Sequence, residues 1–241
     1  MISRLALAAC ALAAGLAAAS AEPRSVVELF TSQGCSSCPP ADRLLGELAR
    51  DPDVLALSFP VDYWDYIGWK DTLAQPAFTA RQKAYAAARG DGQVYTPQAV
   101  VDGVAHAVGS DRGEIQHAAA GLAGRKGVLS VPVRLSGSPG ALKVEIGAAG
   151  ADAPRAAEVW LLQVQHSKTV AIGRGENTGA SVTYTNVVRS MLRLGDWTGE
   201  ARSFESGEKH LSDADGYVVL LQARSGARPG AILGAAKSAG L

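Results

Sequence analysis

The chain has 241 residues and carries 23 Lys and Arg against 23 Asp and Glu, a formal net charge of zero. That balance provides no basic field for nucleic acid or an anionic membrane surface. With 47% hydrophobic residues the chain has ample material for a folded core.

Met1-Ile2-Ser3-Arg4 leads into a nearly unbroken apolar run from Leu5 to Ala18, closed by Ala19-Ser20-Ala21. One early positive charge, a short apolar core and an Ala-x-Ala ending predict a secretory signal peptide cleaved after Ala21, and so a periplasmic or secreted protein. The run is too short to span a bilayer comfortably, and no later stretch is long enough to do so. Leu7-Ala8-Ala9-Cys10 is similar to a lipoprotein cleavage box, but the apolar residues between Arg4 and Cys10 are too few for an export core. Once Cys10 leaves, the remaining cysteines both lie in Cys35-Ser36-Ser37-Cys38. A bridge across so short a loop constrains little unfolded-chain entropy, so its value lies in chemistry and not in stapling the fold.

From Ser25, the run Val26-Val27-Glu28-Leu29-Phe30 predicts a buried strand that ends in the turn-forming Thr31-Ser32-Gln33-Gly34. The cysteines follow, and Ala41, Leu44, Leu45 and Leu48 at helical spacing place them at a helix start. Val54 to Phe59 is a second strand, parallel to the first because a helical crossover joins them. Pro60 near its end suits an edge strand. An irregular aromatic segment spans Asp62 to Asp71. A helix follows from about Gln75 to Arg89, stopped by Gly90-Asp91-Gly92. Gln98 to Val101 and Val104 to Val108 form a hairpin about Asp102-Gly103. Asp111 and Glu114 resemble a capping box for a helix whose apolar face is Ile115, Ala118, Ala119 and Leu122.

After Gly124 the pattern changes to strand-like runs at Val128 to Leu135, Leu142 to Ile146, Val159 to Gln165, Val182 to Leu194 and Tyr217 to Gln222. No convincing helix separates them. This half reads as an all-β domain of sandwich type.

A cysteine at a helix N-terminus meets unpaired amide donors and the positive end of the helix dipole, which favour thiolate. Cys35 is therefore the expected nucleophile, and Cys38, one turn further in, the resolving sulfur. Ser36 and Ser37 either donate to the Cys35 sulfur or serve as ordinary helix-start residues. The loop after Val61 leaves the same sheet edge as Cys35, which makes Asp62, Tyr63, Trp64 and Trp69 candidates for a substrate-facing rim, with packing over the core as the alternative. His106, His117, His166 and His210 are scattered and do not form the paired clusters of a zinc site. Arg174-Gly175-Glu176-Asn177 is either a polar site or a connecting loop, and Asp213-Ala214-Asp215-Gly216 reads as a turn.

The order of elements, with C-x-x-C after the first strand and a proline before the third, resembles the thioredoxin fold over residues 25 to 123. Thr96-Pro97-Gln98-Ala99-Val100-Val101-Asp102-Gly103 is similar to the thioredoxin and glutaredoxin segment with a cis-proline beside the disulfide. The resemblance implies a cis Pro97 against the cysteines and a Thr96 backbone free to pair with a bound peptide. More narrowly, three segments resemble an uncharacterised family of exported bacterial proteins, the domain-of-unknown-function family 1223. They are Glu28 through Asp42, Val61-Asp62-Tyr63-Trp64-Asp65, and Gly173-Arg174-Gly175-Glu176-Asn177. The strand-like runs after Gly124 make residues 125–241 a β-rich domain behind the α/β unit at residues 22–124, and the family likeness, which spans the mature chain, implies that this unit is thioredoxin-like. The likeness supplies no substrate.

The sequence departs from thioredoxins in three ways. Gly34 stands where they commonly carry tryptophan. The Ser-Ser pair matches neither the reductase-like nor the oxidant-like dipeptide, so the direction of electron flow stays open. Thioredoxins bury an acid six residues before the first cysteine, whereas Glu28 lies seven before Cys35, an odd offset that points to the opposite face of a strand. The leading expectation is an exported thiol-disulfide oxidoreductase without cofactor or metal, acting on protein thiols or disulfides or on a redox partner protein. The alternatives are a Cu(I) carrier, since two thiolates at this spacing suit a soft cation, and an interaction protein with a merely structural disulfide.

Overall fold

A computed structural model of the chain describes residues 22–151, 154–207, 209–226 and 228–241; the signal-peptide reading and Cys10 lie outside them. The first half runs β1 (Ser25–Thr31), α1 (Pro39–Leu48), β2 (Val54–Pro60), α2 (Pro76–Arg89), β3 (Gln98–Val101), β4 (Ala105–Val108) and α3 (Arg112–Leu122). Strands β5 (Val133–Ser138), β6 (Ala141–Ile146), β7 (Ala157–Ala171), β8 (Ser181–Trp197), β9 (Arg202–Ser206), β10 (Gly216–Ser225) and β11 (Arg228–Lys237) follow. Among the described residues, no helix is long and apolar enough to cross a membrane.

β1 pairs parallel with β2, from Ser25 opposite Val54 to Thr31 opposite Pro60, and antiparallel with β3, where Phe30 faces Gln98. The end of β1, the end of β2 and the start of β3 therefore share one sheet edge. Asp102 and Gly103 both have positive φ, 51° and 71°, as a two-residue hairpin turn of the right twist requires. A Cβ on Gly103 would also come within 2.5 Å of the Gly230 carbonyl on β11. Pro at the first position opens α1 and α2, and Gly90 in the left-handed region closes α2. Asp111 caps α3 by accepting from the Glu114 amide at 2.9 Å, while the Glu114 carboxylate takes the Val108 amide in place of that of Asp111.

The strands of the second half do not form a separate sandwich. The order is β11-β10-β7-β8-β2-β1-β3-β4 in one eight-stranded mixed sheet, and only β5, β6 and β9 form a second, three-stranded sheet. The junction is a parallel pairing of Ser58 on β2 with Val187 on β8, reinforced by Asn186, whose side-chain amide donates to the Ala56 carbonyl at 2.9 Å. An open strand edge pairs with any suitable neighbour, and the alternation of β8 carries no mark of which sheet it will join. For the same reason β2 is interior and not an edge strand. Pro60 is tolerated because it is the last residue of the strand.

Alternation then divides the core. Val27, Leu29, Ala56, Ala99 and Val101 face α1 and α3 through Ala41, Leu44, Leu45, Ile115 and Leu122. Val26, Phe30, Leu57, Phe59 and Val100 face α2 through Phe78 and Tyr85, and share that core with Val218, Leu220 and Ile232 of β10 and β11. The small sheet covers β7 and β10, packing Val133, Leu142, Val144 and Ile146 on Val159, Leu161, Val219 and Leu221.

Candidate functional site

The chain leaves β1 through a turn held at several points. The Gln33 amide donates to Asp71 Oδ2 at 2.8 Å, the Gly34 amide to Ser32 Oγ at 3.1 Å, and the Cys35 amide to the Ser32 carbonyl at 3.2 Å. Cys35 and Cys38 are joined in a disulfide with Cα atoms 5.4 Å apart. The helix begins later than the spacing suggested. Cys38 is the residue capping α1 and Cys35 lies in the preceding turn, so the free first-turn amides lie nearer the resolving position than the expected nucleophile. Both cysteines are buried, Cys35 at 1% exposure and Cys38 at 0%.

Ser37 Oγ lies 3.4 Å from Cys35 Sγ and donates a long bond of 3.5 Å to the Thr96 carbonyl, which brings the second sheet-edge segment to the disulfide. The Thr96-Pro97 peptide is cis. Pro97 accepts from the Gly109 amide at 2.9 Å; a Cβ on Gly109 would stand 3.0 Å from Pro97 Cβ and 2.5 Å from Leu29 Cδ1, so glycine permits the approach. Ser36 is exposed, and its amide points to Glu176.

The aromatic segment braces this loop on two sides. Trp64 Nε1 donates to Thr96 Oγ1 at 2.8 Å, and Trp69 Nε1 donates to Gln33 Oε1 at 2.8 Å. A Cβ on Gly34 would lie 3.0 Å from Trp64 Cβ, so a tryptophan from another segment packs against the residue that lacks one. Tyr66, 80% exposed, stacks on Trp64 with ring centroids 6.4 Å apart. Asp62, expected on the same rim, instead turns to α2 and accepts from the Thr79 hydroxyl.

Glu28 is where the odd offset points, on the α2 face. It pairs with Arg81 at 2.7 Å and accepts from Tyr85, while Arg81 Nη1 donates to Gln222 Oε1 at 3.0 Å. The buried acid of the cysteine side is Asp42, in the first turn of α1. Its amide donates to the Cys38 carbonyl at 3.1 Å and its Oδ1 accepts from Thr31 Oγ1 at 2.8 Å. Residues four apart share a helix face, so Asp42 lies one turn beyond Cys38 on the same face of α1. Burial outweighs the Thr31 hydrogen bond and pushes its carboxyl up to about 8. Asp71 is also raised, by burial, although it accepts from the amides of Gln33, Leu73 and Ala74.

The last component comes from the far half of the chain. The tip of the β7–β8 hairpin rests on the cysteine loop, where Asn177 Nδ2 donates to the carbonyls of both Gln33 and Cys35 at 2.9 Å. In the sequence this segment reads as a connecting loop or a polar site, and Asp42, Asp71 and Gln33 do not stand out as site residues. Asp42 had a signal, because it sits on the apolar stripe of its helix at i+4 from Cys38 and i−3 from Leu45. The histidines lie elsewhere, with His106, His166 and His210 bonded to Tyr95, Asn186 and Tyr217.

Fold and site together define a mixed α/β protein with a C-x-x-C disulfide at a helix start beside a cis-proline. Residues 26–222 match the family model described as "Protein of unknown function (DUF1223)", and the chain belongs to that family. A crystal structure of an Agrobacterium tumefaciens protein is similar over 91% of this chain and 95% of that one, at 34% identity and a TM-score of 0.78. HBP35 of Porphyromonas gingivalis is similar at 14% identity and a TM-score of 0.60, over 90% of this chain and 75% of that one, a likeness of fold alone. No curated protein matches the sequence.

Proposed function

We propose that this protein is an exported thiol-disulfide oxidoreductase working through the Cys35/Cys38 dithiol and disulfide on protein thiols. In this reading residues 22–124 are a thioredoxin-like unit that carries the chemistry, and residues 125–241 are a β-rich unit that braces it. Cleavage after Ala21 delivers both to a periplasmic or extracellular compartment where disulfides persist.

The observation that carries the proposal is the meeting of the disulfide with the cis Thr96-Pro97 segment through Ser37. A purely structural bridge over so short a loop needs no such neighbour. In the exchange, a partner thiolate attacks Cys35 Sγ, the Cys35–Cys38 bond breaks, and Cys38 leaves as a thiolate that takes a proton from Asp42. A second partner thiolate then displaces Cys35, so the partner is oxidised to a disulfide and this protein gains both electrons; the reverse sequence reduces a partner. Thr96 and Trp64 line the approach to Cys35. The test compares dithiol-disulfide exchange by the mature wild type and Cys35→Ser. The proposal expects exchange to vanish in the variant, and equal rates would remove it.

A further inference from the structure

Cys35 is 1% exposed, so its sulfur is closed to a protein thiol in the conformation described. The β7–β8 tip holds the backbone of the loop that carries this sulfur. Asn177 spends both amide hydrogens on the Gln33 and Cys35 carbonyls at 2.9 Å, and Glu176 Oε2 accepts from the Ser36 amide at 3.3 Å. These three bonds bracket the Gln33–Ser36 backbone and come from residues 140 to 144 positions away.

The tip is built as a unit that can lift. It is closed on itself by bonds from the Thr178 amide to Gly175, from Gly179 to Ile172 and from Ala180 to Asn177, at 3.2, 2.8 and 3.0 Å. Gly175 and Gly179 turn through positive φ, 79° and 83°. Arg174, Glu176 and Thr178 are exposed, and Gly173 and Gly175 lie against Trp69; Ile172, at the base of the tip, is buried with Leu73, Val182 and Tyr184 and anchors the end about which residues 173–179 turn. Lifting residues 173–179 about the Ile172 anchor breaks the three bonds to the cysteine loop, whose amide and carbonyls water or an incoming chain can satisfy, and the contact with Trp69.

We infer that the hairpin tip is a removable strap over the cysteine loop, with Asn177 and Glu176 the positioning residues that set how readily a thiol reaches Cys35. The inference adds an access step to the proposed redox site, yet it can be tested without any redox partner. When opening is rapid and rare, the rate of attack is the open fraction multiplied by the intrinsic rate, so weakening the strap accelerates reduction. It also selects partners, favouring chains that can present donors to the two convergent carbonyls that Asn177 satisfies.

The experiment measures the second-order rate of disulfide reduction by dithiothreitol in the mature wild type, Asn177→Asp and Glu176→Ala. Asn177→Asp keeps the shape and removes both donated bonds; Glu176→Ala removes a single exposed contact and guards against a misfolded Asn177 variant. Reduction should quicken about tenfold in Asn177→Asp and about threefold in Glu176→Ala, with the equilibrium reduction potential moving less than the rate. Rates unchanged or lower in both folded variants would overturn the strap. Because the reductant is a small dithiol, that result leaves the oxidoreductase reading standing, and failure of protein-thiol exchange in the wild type leaves the strap standing.

Discussion

Thr31 Oγ1 donates to Asp42 Oδ1 at 2.8 Å across the interface of β1 and α1, and Asp42 Oδ2 has no partner among the described residues. The carboxyl is held at about 8, against 3.8 for an ordinary aspartate. An acid whose folded value is raised lends its full stability below the unfolded value and loses it as pH climbs through the folded one. The fold should therefore weaken between about pH 4 and pH 8, with Asp42 contributing up to about 1.4 kcal/mol per pH unit. Burial also raises the carboxyls of Asp71 and of Asp102, the latter to about 6, so urea titrations at several pH values should show a flatter dependence in Asp42→Asn with those two retaining their share. An identical slope would mean that Asp42 does not carry a proton in the fold.

The pair of Glu28 with Arg81 lies on the opposite face of the sheet and ties α2 to β10 through Gln222. Removing one partner leaves a buried charge uncompensated, which costs about 3–5 kcal/mol. Arg81→Met should lose that much in denaturant unfolding while the folded fraction keeps its rate of disulfide exchange. A stable variant with impaired exchange would place this pair in the site after all.

Trp64→Phe retains an aromatic ring beside Gly34 but cannot donate to Thr96 Oγ1. The lost bond should reduce stability by about 0.5–1.5 kcal/mol. It should also raise the KM for a protein substrate severalfold more than it lowers kcat, since the indole positions the segment that borders the approach to Cys35. Steady-state kinetics at saturating and limiting substrate separate the two effects.

Gly109→Ala forces a methyl group to within 3.0 Å of Pro97 Cβ and against Leu29. Overpacking of this kind costs about 1–3 kcal/mol. Because the displaced group is Pro97, exchange should slow as well. Calorimetry with exchange assays on the same preparation would show both changes or count against the tight seat of Pro97.

The first half was legible because its signals are local. Period-two and helical spacing marked β1 to α3, and Asp102-Gly103 marked the turn between β3 and β4. The odd offset of Glu28 correctly set it on the face away from α1. The second half hid its pairing. β11 is rich in Gly and Ala, and its Gly234 is required because a Cβ there would collide with the Val131 carbonyl, a contact between chain segments far apart in sequence. β9 is only five residues long, and the joining of β8 to β2 rests on one bridge and on Asn186 at φ 47°. The hairpin tip was visible as a motif, but its placement on Cys35 depends on the reach of β7 and β8 past the small sheet, which periodicity does not encode.

The most direct test of the central claim is covalent. If Cys35 attacks and Cys38 resolves, Cys38→Ser should accumulate a mixed disulfide between Cys35 and a protein substrate, seen by mass spectrometry and released by dithiothreitol, whereas Cys35→Ser should trap none. Equal trapping by the two variants, or none by Cys38→Ser, would contradict the assignment of Cys35 as the exchanging sulfur.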